Sequence, residues 1–140
     1  MEDRLIKEGS IEENLGEDKL VLSPLGHTWI LDLDGTIVKH NGYKIDGQDT
    51  FLDGAEAFLK SLPGQDRIIF LTSREEKWKE PTERFLREHG IRFDCILYDM
   101  PYGERILLND CKPSGLKMGY AFNRERDNFR NLEVIIDEGL

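Results

Sequence analysis

Residues 28–38 read TWILDLDGTIV, an apolar run that ends in two aspartates, a glycine and a threonine. Short unbroken apolar runs of this kind are typical of strands that are covered on both faces. Residues two apart in an extended chain project from the same face, so Asp32 and Asp34 can approach one ligand while Leu33 points into the core. Gly35 allows a sharp turn directly after the pair. The stretch predicts a buried strand that presents two carboxylates at its carboxyl end.

Other apolar runs repeat this pattern along the chain. The predicted strands are 27–33, 67–71, 94–98, 105–108 and 133–136. Between them, residues 53–61 and 73–89 carry the cap residues and apolar spacing of helices, and we expect Pro81 to divide the second helix. This alternation predicts an α/β fold, a three-layer doubly wound Rossmann-like parallel sheet whose ligands bind beyond the carboxyl ends of the strands.

The 140 residues are enough for one ordinary domain. We expect residues 1–19, which mix charges with two glycines, to be an N-terminal extension, and residues 20–140 to be a single domain. The extension has no apolar signal core, and no apolar stretch approaches the length of a membrane span. These features predict a cytoplasmic protein that does not bind membranes.

The formal net charge of −9 disfavours nucleic acid as a partner and favours a small substrate. Cys95 and Cys111 are too few for a disulfide framework and lie in no zinc-binding pattern, so we expect buried thiols.

Polar residues also follow two other predicted strands. Thr72 and Ser73 stand where a strand meets a helix, a place where hydroxyl and free N–H groups bind phosphoryl oxygens. Asn109, Asp110 and Lys112 follow the strand 105–108 and offer hard oxygen ligands for Mg²⁺ and a positive charge. Taken singly, each group has a structural interpretation: a solvated turn for the aspartate pair, a helix cap for Thr72 and Ser73, a turn for Asn109 and Asp110.

The sequences DLDGT, LTS and ND with a nearby lysine, in this order at successive strand ends, resemble the haloacid dehalogenase (HAD) superfamily from about residue 27 to the end. The resemblance implies that Asp32 is a nucleophile, Asp34 a general acid/base and Thr72 a phosphate ligand. It also implies an Mg²⁺ ion held by the Asp32 carboxylate, the Asp34 backbone carbonyl and Asp110, with Asn109 as a further ligand. Mg²⁺ would offset the repulsion between an anionic carboxylate and an anionic phosphate.

One position departs from the superfamily pattern. The phosphate-binding lysine usually precedes the acidic motif in a Lys-Pro pair, whereas this chain has Met100-Pro101 there and Lys112 after the acids. We expect Lys112 to supply the cation, with Arg74 as the alternative.

The spacing of the motifs narrows the resemblance to a phosphatase without a large cap domain (C0-type). Dehalogenases lack the second aspartate, and mutases need a large cap for which this chain has no room. A short polar flap at about 37–52, with Lys39, His40, Asn41, Tyr43 and Lys44, stands at the first cap position. The chain is similar to capless phosphatases of surface-polysaccharide biosynthesis, which implies a sugar or polyol phosphate as substrate. Homo-oligomerisation is a hypothesis, since a capless site can take a wall from a second subunit.

Two alternatives stay open at this point. An open site also suits a phosphatase that acts on a macromolecule such as a phosphoprotein. A catalytically inactive module that binds a phosphorylated ligand would explain the displaced lysine, although the intact aspartate pair weighs against it.

Overall fold

The computed structural model of the protein describes residues 18–140. Their regular structure consists of β1 (Asp18–Leu22), β2 (Thr28–Asp32), α1 (Gly42–Ile45), α2 (Ala55–Ser61), β3 (Arg67–Leu71), a 3₁₀-helix (Glu76–Trp78), α3 (Lys79–Glu88), β4 (Cys95–Leu97) and β5 (Leu132–Ile136). None of the helices in this part of the chain has the length and apolar character needed to cross a membrane.

The strands form two open parallel sheets, which confirms the predicted α/β class. One sheet has the order β2–β3–β4, and the other pairs β1 with β5. In the three-stranded sheet Asp32 is paired with Leu71, and Leu71 with Leu97, so all three strands end at the same edge. The residues that follow β2, β3 and β4 are therefore neighbours in space.

The main core lies between the three-stranded sheet and the helices. Ile68 and Phe70 are buried on one face of β3, two residues apart as an extended strand requires. Phe58 and Leu59 of α2 belong to the same cluster, as does Leu86 of α3. Burying an aliphatic or aromatic side chain of this size contributes roughly 1.5–3 kcal/mol, so these contacts hold the strand ends in register.

The second helix differs from its prediction. The helical segment begins at Glu76, not at Ser73, and continues into α3 from Lys79. Pro81 lies in the first turn of α3 and does not divide it, because the first N–H groups of a helix have no intrahelical acceptor and proline loses nothing there.

The predicted strand 105–108 is absent. No helix or strand is found between β4 and β5, and the side chains of Ile106 and Leu108 are 87% and 93% exposed. An apolar run becomes a strand only if a neighbouring strand accepts its backbone hydrogen bonds, and no such pairing holds this segment in place.

Two smaller expectations also need correction. Cys95 and Cys111 are exposed and not buried, because Cys95 starts the edge strand β4 and Cys111 lies in the segment without regular structure. Asp18 and Lys19, placed in the extension, belong to β1, where Asp18 is held by Arg124 and Arg130. The rest of the predicted extension lies outside the described residues.

A buried carboxylate ties the amino ends of β2 and β3 together. Asp66 is 1% exposed and accepts hydrogen bonds from the backbone N–H of His27 (3.0 Å) and the indole N–H of Trp29 (2.9 Å). Both donors lose their partner if the carboxylate is removed.

We predict that Asp66→Ala lowers the free energy of unfolding by about 1–3 kcal/mol, because it leaves two donors without an acceptor in the protein interior. Urea unfolding followed by tryptophan fluorescence measures this. Asp46→Ala removes an exposed ion pair with Lys39 and should cost less than about 1 kcal/mol. Equal losses in the two variants would contradict the structural role of Asp66.

Candidate active site

The chain turns back sharply after β2 and leaves Asp32 at the sheet edge. Gly35 has a φ of 83°, its N–H donates to the Val38 carbonyl at 2.7 Å, and the Leu33 carbonyl accepts from Ile37 and Val38. A positive φ strains other residues, so glycine suits this turn. The turn brings the Thr36 hydroxyl within 2.8 Å of Asp32 Oδ2, to which it donates.

Asp32 is the more accessible of the two carboxylates. Its side chain is 39% exposed, and its second oxygen accepts from Arg105 Nη1 at 3.1 Å. Arg105 is itself partly exposed, so solvent reaches the ion pair and another group can replace Arg105 as the partner of Asp32. This leaves Asp32 able to approach an incoming group.

Asp34 is held from several directions. Its Oδ2 accepts from the Thr72 hydroxyl at 3.1 Å, and its two oxygens accept from Arg74 Nε and Nη2 at 2.9–3.2 Å. The side chain is 15% exposed. The two aspartates therefore occupy different environments: Asp32 is partly exposed, whereas Asp34 is largely buried and held by Thr72 and Arg74.

The guanidinium of Arg74 is the most buried charge at the site. Its side chain is 1% exposed and also binds Asp49 at 2.7 Å and the Thr82 hydroxyl at 2.8 Å. Its face lies 3.9 Å from the centre of the Tyr43 ring, within cation–π range. Burial alone would lower the pKa of Arg74, but the hydrogen bonds to Asp49 and Asp34 outweigh it and raise the pKa above its ordinary value.

The segment 37–52, predicted to be a flap, is hydrogen-bonded to the turn after β2 and to itself. Val38 and Phe51 form an antiparallel bridge, and Lys39 N–H donates to the Thr50 carbonyl. A residue far along the chain adds a second anchor: Asp127 Oδ1 accepts from His40 N–H at 2.7 Å, and its own N–H donates to the Gly35 carbonyl.

A cavity of about 570 Å³ lies between the flap and α3. Tyr43, Phe51, Trp78 and Phe85 form aromatic walls, and Arg74 is among the lining residues. Tyr43 packs edge-on against Trp78, with ring centres 4.8 Å apart. Its ring therefore supports the arginine from the flap side. Burial, opposed by the positive charge of Arg74, raises the pKa of Tyr43.

The structure brings together only part of the predicted site. Asp34 and Thr72 are in contact, and Asp32 lies on the same strand as predicted. Ser73 is partly buried beside them, but no helix begins there, so the helix-start N–H groups expected to bind phosphate are missing.

The third predicted group does not follow a strand. Asn109, Asp110 and Lys112 are exposed in the segment between β4 and β5, where the Asn109 amide donates to the Asp110 carbonyl and Lys112 N–H to the Leu116 carbonyl. Their convergence on Asp32 depended on the strand 105–108, which is not formed.

The predicted Mg²⁺ ligands are therefore not assembled as a set. Within residues 18–140 no three His, Cys, Asp or Glu side chains are grouped so as to hold a metal ion. Asp32 ends β2 and the backbone of Asp34 follows two residues later, but Asp110 does not complete a set with them. The side chains as arranged fit a metal ion only in part.

Sequence reasoning missed several residues of the site. Asp49, Thr82, Arg105 and Asp127 carry no motif, and Thr36 was quoted only as part of DLDGT. For Arg74 the sequence indicates a different role, a cation that binds the substrate phosphate. The only sequence signal was its position directly after the Thr-Ser pair at the end of β3.

Comparison with known proteins adds little to this description. No protein-family model matches the chain, and no curated protein matches it. Among solved structures, a chain of the Pnkp1/Rnl/Hen1 complex is 30% identical over 66% of this chain, with a TM-score of 0.44. A chain of the Pnkp1/Rnl/Hen1 RNA repair complex is 30% identical over 65%, also with a TM-score of 0.44. This protein spans only 31% and 29% of those chains, and a likeness of this quality establishes neither fold nor activity.

We predict that Arg74→Met lowers the free energy of unfolding by about 3–5 kcal/mol, because it leaves the carboxylates of Asp34 and Asp49 without their cation. Arg84→Met is the control: among residues 18–140, Arg84 pairs with the exposed Glu80 on α3, and its loss should cost within about 0.5 kcal/mol. Urea denaturation compares the two variants. A loss at Arg74 as small as that at Arg84 would show that the buried network does not stabilise the fold.

Proposed function

We propose that this protein is a phosphomonoester hydrolase of the HAD type that acts through an aspartyl-phosphate on Asp32. The observation that supports this most is that Asp32, which ends β2, and Asp34, in the turn after it, differ in exposure and in hydrogen-bond partners. Asp32 is accessible and oriented by the Thr36 hydroxyl, whereas Asp34 is clamped by Thr72 and Arg74. A nucleophile must reach the substrate, and an acid/base group must keep a fixed direction toward the leaving group.

The reaction would proceed in two steps. An Asp32 oxygen attacks phosphorus, the bond from phosphorus to the leaving oxygen breaks, and Asp34 gives a proton to that oxygen. Water then attacks the phosphorus of the aspartyl-phosphate, Asp34 takes a proton from the water, and inorganic phosphate leaves. Asp32 is thereby regenerated as a carboxylate.

Arg105 has a natural place in this scheme. Its guanidinium binds the nucleophile in the structure and is partly exposed, so it can turn from Asp32 to the oxygens of an incoming phosphoryl group. Of the cations named from the sequence, Arg74 is fully engaged inside the protein and Lys112 is exposed in the segment after β4.

Mg²⁺ remains part of the proposal. The Asp32 carboxylate and Asp34 backbone carbonyl would hold it, with Asp110 and Asn109 as the remaining expected ligands. When bound, it would offset the repulsion between the attacking carboxylate and the phosphate. Because the described side chains supply this set only in part, no step above depends on the ion.

A completed, doubly wound sheet would bring the remaining expected Mg²⁺ ligands, Asp110 and Asn109, to the site. In the described part of the chain β2 and β5 each pair with one strand, and the apolar residues 106–108 are exposed in the segment between β4 and β5. If residues 105–110 paired as a strand between β2 and β5, they would join the two sheets and carry Asp110 to the edge where Asp32 lies. Completion of the sheet in this way is part of the proposal.

The substrate class follows from the same resemblance. We propose a small phosphorylated metabolite, a sugar or polyol phosphate, bound at a site that has a short flap in place of a cap. Homo-oligomerisation and a cytoplasmic location belong to this proposal as predictions from the sequence.

We predict that Asp32→Asn lowers phosphate release by at least about a thousandfold, since the amide cannot form the covalent intermediate. Phosphate release would be measured on phosphorylated sugars, polyols, nucleotides and peptides, with and without Mg²⁺. Asp94→Asn is a matched control of similar exposure at the amino ends of β3 and β4, and should keep wild-type turnover. Wild-type turnover in Asp32→Asn would exclude this nucleophile, and no turnover by the natural protein on any substrate would favour a binding module.

We further predict that Mg²⁺ with inorganic phosphate slows amide hydrogen exchange in residues 105–108 by about tenfold or more, because pairing as a strand protects those amides. Hydrogen exchange with mass spectrometry measures this. Residues 117–123, also without regular structure, serve as the internal reference. Unchanged exchange in 105–108 would contradict the completed sheet.

A further inference from the structure

Arg74 joins two aspartates that come from different parts of the chain. Asp34 lies in the turn after β2, and Asp49 lies on the flap, so the arginine links the two segments. Asp49 is 5% exposed and Arg74 is 1% exposed. The flap is thus connected to the acid/base carboxylate through a buried contact that solvent cannot easily replace.

The hydrogen bonds of this arginine are fully used. Nε donates to Asp34, Nη2 to Asp34 (2.9 Å) and Asp49 (2.7 Å), and Nη1 to Asp49 (3.0 Å) and the Thr82 hydroxyl (2.8 Å). These contacts account for all the N–H donors of a guanidinium. Arg74 therefore has no donor left for a substrate phosphate, and all of its N–H groups bind side chains of the protein itself.

The arrangement also orients Asp34. Both oxygens accept from the arginine, and the Thr72 hydroxyl adds a third contact at Oδ2. Two parallel N–H···O contacts of this kind fix the plane of a carboxylate as well as its position. Asp49 holds the other side of the same guanidinium, and Tyr43 covers its face.

We propose that Arg74 and Asp49 are positioning residues that hold Asp34 in the direction needed for proton transfer, and that they couple this direction to the position of the flap. This inference rests on the proposed function. It assigns to the flap residue Asp49 a role in catalysis without any contact with the substrate.

The test is Asp49→Asn, which keeps the size of the side chain and removes its charge. Turnover would be measured on an alkyl phosphate, whose leaving oxygen needs a proton, and on p-nitrophenyl phosphate, whose leaving group departs readily without one. We expect kcat/KM, which reports the step in which the leaving group departs, to fall about tenfold to a hundredfold on the alkyl phosphate, part of the 10²–10⁴ that a general acid contributes, and much less on p-nitrophenyl phosphate.

Three further variants separate positioning from damage to the fold. Asp66→Asn changes a buried aspartate at the opposite ends of the strands, and should affect both substrates equally. In an Asp34→Asn background, Asp49→Asn should cause no additional loss, because residues that act through one group are not additive. If Asp49→Asn does not fold, Thr82→Val removes one acceptor of Arg74 and should give the same substrate dependence with a smaller loss.

The outcomes distinguish this inference from the proposed function. A wild-type protein that releases phosphate from neither substrate would remove the proposed function itself. If the wild-type protein is active but Asp49→Asn loses kcat/KM equally on both substrates, or adds its full loss to Asp34→Asn, the positioning role is overturned and the phosphatase stands.

Discussion

The burial of one guanidinium organises the carboxyl-terminal edge of the sheet. Arg74 is almost inaccessible to solvent, and a charge in such a place persists only when partners replace its hydration. Two carboxylates and a hydroxyl do so here, supplied by the turn after β2, the flap and α3. Since these segments lie far apart in the chain, the arginine can be satisfied only when all of them are in place. The edge therefore forms as a unit.

The same network gives the two aspartates of DLDGT different properties. The two aspartates are only two residues apart, yet Asp34 is held by Arg74 and is 15% exposed, whereas Asp32 is 39% exposed and pairs with the partly exposed Arg105. A pair of carboxylates with distinct environments is what two-step phosphoryl transfer requires, because one group must bond to phosphorus while the other transfers protons. Asp127 extends this order by fastening the flap to the turn at Gly35.

The strands of the described residues form two separate sheets. β1 pairs with β5, and β2 with β3, but within residues 18–140 β2 and β5 have no further strand partner. The apolar residues Ile106, Leu107 and Leu108 remain exposed while these edges are unpaired. Unpaired strand edges and exposed apolar residues both favour pairing, which is why the proposed function includes a completed sheet.

The sequence by itself determined the local features of this protein. The apolar runs at 28–32, 67–71 and 132–136 became strands, and α2 formed where its spacing indicated, because these runs bury against the same core. The position of Asp32 and Asp34 at a strand end followed from the same pattern. The tertiary structure alone decided the rest. It left the apolar run 105–108 unpaired, since a strand needs a partner that no local pattern reveals. It also brought Asp49 and Thr82 to Arg74. A buried charge must be compensated by polar groups around it, and the fold can supply these from distant parts of the chain.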